Sequence, residues 1–65
     1  MDEEAMRQKL AQLKLEHHDL DVAINALTTK GNHDQLQVAR MKRRKLMLKD
    51  QIAMIEDYLI PDIIA

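Results

Sequence analysis

The residues that could do chemistry here are three histidines, scattered carboxylates and a dense run of bases. His17 and His18 are adjacent, so on a helix they point about 100° apart and cannot easily face one ion. A metal-binding pair on a helix needs ligands four residues apart. His17 and Asp21 have that spacing but make only two ligands, and His33 beside Asp34 reads as turn chemistry. No metal site is therefore expected. No nucleophile is placed beside a base with credible geometry, and a chain built from two helices offers no enclosed pocket in which to tune one. The expectation is no enzyme, no cofactor and no small-molecule substrate.

The bases are Arg40, Lys42, Arg43, Arg44, Lys45 and Lys49, six in ten residues. At helical spacing they spread around the axis, with Arg40 and Arg43 outward, and Glu16, Asp19 and Asp21 stand ready to neutralise much of the charge. A nucleic-acid stripe would be more one-sided and would usually carry aromatics. Tyr58 is the only aromatic residue here. Nucleic acid contacted through Arg40 and Arg43 is thus the secondary alternative. The net charge of −1 predicts no bulk attraction to nucleic acid or membrane. It conceals a division: residues 1–34 carry seven acids and four bases, and residues 35–65 carry four acids and six bases.

The elements that must position these residues are two helices. Asp2 can cap the first, and Glu3 and Glu4 suit the positive end of its dipole. Met6, Leu10, Leu13, His17, Leu20, Ile24 and Leu27 then alternate spacings of four and three, a heptad seam with one polar interruption. Thr28, Thr29 and Gly31 end the helix, with Gly31 suited to a left-handed cap. Asp34 caps the second helix, and Gln37 completes a capping-box-like pair. Its seam runs Val38, Met41, Lys45, Leu48, Ile52, Ile55 and Leu59, before Pro61 stops it.

This predicts one all-α domain over residues 1–65, with a helix over about 3–28, a turn over about 29–33, a helix over about 34–60 and an apolar tail at 61–65. A short loop makes the helices antiparallel neighbours. Paired outward from the turn, the seam gives Leu27 with Val38, Ile24 with Met41, Leu20 with Lys45, and His17 with Leu48. It continues with Leu13 and Ile52, Leu10 and Ile55, and Met6 and Leu59. Every layer matches an a-type with a d-type position, which points to an antiparallel coiled-coil hairpin. Beside that seam the sequence places Asp21 near Lys42, Arg7 near Glu56 and Glu16 near Arg44 or Gln51, with Lys14 near Lys49 as a like-charge exception.

Two seam positions are polar. His17 and Lys45 occupy adjacent layers, and Asp21 lies one turn after His17. Lys45 can lay its stem along the seam with its amine in water. Alternatively His17, Asp21 and Lys45 form a partly buried cluster that fixes register at some cost in stability.

The strings His17-x-x-Leu20-Asp21-x-x-Ile24-x-x-Leu27 and Lys42-Arg43-Arg44-Lys45-Leu46-Met47-Leu48-Lys49-Asp50 resemble the YdcH-like family of short bacterial proteins. The second string looks like that family's LKKxKLxLKD pattern, with Met41 in place of the usual leucine. The resemblance covers roughly residues 10–60. It implies a helical hairpin belonging to a domain of unknown function, with no assigned reaction or ligand.

Apolar residues remain once the seam is filled. Small and large apolar side chains at Ala39, Leu46, Ala53 and Ile60 recur every seven residues, with Met47 and Met54 alongside and Leu15 and Val22 outward on the first helix. A stripe this wide exceeds a two-helix seam, and methionines suit an adaptable interface. The expected function is a small interaction or adaptor module that homo-oligomerises into a multi-helix bundle, with an unidentified protein partner as the other use of the stripe. The acidic start has no apolar run of signal-peptide length and no stretch reaches the roughly 18–20 residues of a membrane span. A cytoplasmic protein without a membrane partner is expected.

Overall fold

The computed structural model describes residues 2–31 and 34–59. Helix α1 spans Glu3–Thr28 and helix α2 spans Gln35–Leu59, and the two pack against each other. The fold is the expected helical hairpin. Pro61 and the apolar tail lie outside the described residues, as do Asn32 and His33 in the connection.

The helix ends form for identifiable reasons. The Asp2 carboxylate accepts from the Glu4 N–H at 3.2 Å, satisfying a donor that has no partner within the helix. At the other end the Thr28 and Thr29 hydroxyls donate back to the carbonyls of Ile24 and Ala26, at 2.8 and 3.1 Å. The chain then turns through Gly31, whose φ of 75° lies in the left-handed region that favours glycine. Asp34 starts α2 by accepting from the N–H groups of Leu36 and Gln37, at 2.9 and 3.3 Å.

Between the helices, Leu13, Ile24, Val38 and Leu48 are buried, and Leu48 is completely enclosed. The other apolar seam positions, Met6, Leu10, Leu20, Leu27, Met41, Ile52, Ile55 and Leu59, are half-buried. A two-helix seam can do no more, because each layer has only one facing helix to cover it. Fully burying an aliphatic side chain contributes about 1.5–3 kcal/mol, so four such residues and eight partial ones make a thin core.

Among the described residues three ion pairs cross the seam and record its antiparallel register. Lys14 meets Glu56 at 3.1 Å, Glu16 meets Arg44 at 2.8 Å, and Asp21 meets Lys45 at 2.5 Å. Later residues of α1 meet earlier residues of α2 throughout. Two flank pairings differ from the sequence expectation. Arg7 turns to Glu3 on its own helix at 2.9 Å, leaving Glu56 to Lys14, and Asp21 takes Lys45 in place of Lys42. In each case two partners are within reach. Arg7 has Glu3 one turn away on its own helix, Asp21 has Lys42 and Lys45 one turn apart on α2, and Lys14 has Lys49 and Glu56 two turns apart. Lys14 can therefore turn from Lys49 to Glu56, which removes the like-charge contact.

Candidate interaction surface

The polar layer of the seam sits at the mouth of an open groove. Lys45 reaches from α2 across to Asp21 on α1, with their side chains 34% and 45% exposed. This is a boundary pair, with the lysine stem along the seam and its ammonium at the rim. His17 is half-buried and lines the same groove. The hydrogen bond from Lys45 and the charge of that ammonium hold the Asp21 carboxyl below its ordinary value of 3.8. Partial burial opposes this, and the two neighbouring histidines add smaller lowering effects. Of the three residues singled out from sequence, Asp21 and Lys45 are thus joined directly and His17 lies beside them.

The groove encloses about 530 Å³ and is also lined by Lys42, Lys49, Ile24 and Leu46. It holds three ammonium groups and one carboxylate, and that carboxylate is engaged by Lys45. Among the described residues neither Lys42 nor Lys49 has an ion-pair partner. The same holds for Arg40 and Arg43, which are exposed. Lys45 and Arg44 are engaged by α1, while the groove-lining Lys42 and Lys49 and the outward Arg40 and Arg43 are left over.

The outer apolar residues are exposed but do not share one face. Leu46 is 59% exposed and borders the lysine groove. Met54 is 71% exposed and borders a smaller groove of about 290 Å³ with Lys9, Leu13, Gln51 and Ile55. Leu46 and Met54 thus border grooves on different sides of the seam, although only about 80° separates them around the α2 axis. Met47 is 49% exposed, Ala39 and Ala53 are exposed, and Ile60 lies outside the described residues. Two further exposed residues, Leu36 and Tyr58, escaped the sequence reading. Tyr58 lies four residues after Met54, a helical neighbour spacing that could have revealed it.

Among the described residues no three His, Cys, Asp or Glu side chains converge as a metal site would require. No helix there is long and apolar enough to cross a membrane.

A family model described as Protein of unknown function (DUF465) matches residues 10–56, most of the chain. The matched span runs from Leu10 through Glu56, and so contains the inner seam layers and all three cross-seam ion pairs. No curated protein and no solved structure matches the chain. The chain belongs to the DUF465 family, which includes the YdcH-like proteins.

Proposed function

We propose that this DUF465 member is a small non-enzymatic interaction module of the cytoplasm that self-associates through the outer surface of α2. The observation that carries the reading is the exposure of Leu46, Met47 and Met54 on one helix of a hairpin whose seam is already filled. Each exposed side chain of this size forgoes stabilisation that a partner surface would supply. Small domains with thin cores commonly gain what they lack by association. Sedimentation of the intact chain tests this: association should appear as concentration rises to about 500 µM, because dimerisation follows mass action. A strictly monomeric, cooperatively folded hairpin at that concentration would rule the reading out.

One observation favours a second reading. Arg40, Lys42, Arg43 and Lys49 have no carboxylate partner among the described residues, so they are available to a polyanion. A nucleic-acid-associated protein using Arg40 and Arg43 should bind DNA or RNA with strong salt dependence. Absence of binding at about 50 mM salt would dismiss it.

A further inference from the structure

We propose that the lysine groove of the hairpin docks an acidic amphipathic helix of a partner protein. Two carboxylates seven residues apart on that helix reach Lys42 and Lys49, and an apolar side chain between them packs on Leu46. This goes beyond self-association and does not depend on it.

The groove follows one flank of the seam, with residues of α1 along one wall and residues of α2 along the other. Its charges are Lys42, Lys45 and Lys49 against the carboxylate of Asp21, which Lys45 already engages. The surplus rests on Lys42 and Lys49, both exposed and neither with an ion-pair partner among the described residues. They stand two turns apart, about 10.5 Å along α2 and within about 20° of one bearing. Leu46 lies between them, 59% exposed, and the buried Ile24 also lines the groove. A ligand that complements this surface is anionic at two points and apolar between them.

A helix fits that description better than an extended segment does. Both walls are helices, whose backbone groups bond internally, so an extended peptide finds no sheet edge to join. A docking helix satisfies its own backbone and offers side chains alone. Its residues i and i+7 repeat the Lys42–Lys49 spacing, and i+3 or i+4 falls level with Leu46 in the antiparallel or parallel direction.

Nucleic acid fits less well. Leu46 would face sugar and phosphate, and no aromatic side chain lines the groove to stack a base. Nor does a closed pair of this chain supply the acids. Asp50 and Asp57 occupy the opposite edge of the α2 face from Lys42 and Lys49. An antiparallel two-fold therefore sets lysine edge against lysine edge, and a parallel one sets Lys42 level with Arg43. The complementary charge comes from a different chain.

A designed peptide tests the groove on the full chain, with Ile and Leu methyl resonances observed by NMR. The probe has about 18 residues of alanine and glutamine, long enough to be helical, and carries the pattern Glu-x-x-Leu-Leu-x-x-Glu. A control of the same composition moves both glutamates to the opposite face. At about 50 mM salt the probe should shift the Ile24 and Leu46 methyls and bind about tenfold tighter than the control. A chain carrying Lys42→Glu and Lys49→Glu, with its helical circular dichroism retained, should lose the probe and take a version with lysines in place of the glutamates. That exchange guards against loss through misfolding. Equal binding of probe and control, or no transfer to the lysine version, overturns the proposal. A single-stranded oligonucleotide that shifts the same methyls and displaces the probe overturns it in favour of nucleic acid. Sedimentation of the parent alone reads self-association separately. A monomeric chain that takes the probe keeps the groove and loses the self-association reading, and an associating chain that refuses it does the reverse.

Discussion

Asp21 and Lys45 meet at 2.5 Å across the hairpin, yet each side chain keeps more than a third of its surface in water. The pair therefore closes one of the two adjacent layers where the seam departs from apolar packing, without enclosing a charge. Its strength is that of a boundary contact, and its position makes it a marker of register.

The acid limb of stability should report this pair. Lys45 lowers the folded-state pKa of Asp21 below 3.8, so its stabilisation is present above that value and disappears as pH falls through the depressed folded-state value. Thermal unfolding followed by circular dichroism across the acid range should show a decline that Asp21→Asn makes shallower. An unchanged acid limb in that variant would remove Asp21 as its source.

Replacing Lys45 by leucine tests whether the polar layer serves stability or specificity. The variant loses an ion pair whose partners both stay more than a third exposed, so the loss is small. It gains partial burial of an aliphatic side chain, and full burial would contribute about 1.5–3 kcal/mol. Lys45→Leu should therefore raise Tm by a few degrees, at about 4–8 °C per kcal/mol, while broadening the range of oligomers seen in native mass spectrometry. A destabilised variant with an unchanged oligomer state would refute the register role.

Gly31 should resist substitution although space is free around it. An added Cβ would meet nothing within 4 Å, but the φ of 75° would remain. Gly31→Ala should cost about 1–2 kcal/mol through the left-handed conformation alone, whereas Gly31→Asn should cost less. Equal stability of the three chains in urea titrations would show that this turn does not hold its φ in solution.

Most of the fold was legible because the seam is a periodic signal: Leu13, Ile24, Val38 and Leu48 all fall on the three-four spacing and are buried. The helix starts were legible from Asp2 and Asp34 because N-capping uses few residue types, whereas α1 is capped at Thr29 and the left-handed Gly31 follows two residues later, in the turn. The ion pairs were less so. Arg7 had Glu3 within its own helix as well as Glu56 across the seam, and spacing alone does not rank two reachable carboxylates. Nor did the seven-residue repeat show that Leu46 and Met54 border different grooves, since that depends on where the first helix lies.

The contrast between Leu48 and Leu46 separates the two surfaces of α2. Leu48 is completely enclosed, so Leu48→Ala removes buried contacts and leaves a cavity, at about 2–5 kcal/mol. For a core this thin, that loss should abolish cooperative unfolding. Leu46 is 59% exposed, and Leu46→Glu should change the stability of the isolated hairpin by no more than about 0.5 kcal/mol. In an assembly that covers Leu46 the same glutamate would lose hydration, which weakens association. Sedimentation of Leu46→Glu should therefore show weakened association with its helical signal preserved, while Met54→Glu, on the opposite flank, should associate more nearly like the parent. If Met54→Glu disrupts association and Leu46→Glu leaves it intact, the working face of α2 is the groove formed with Lys9 and Gln51.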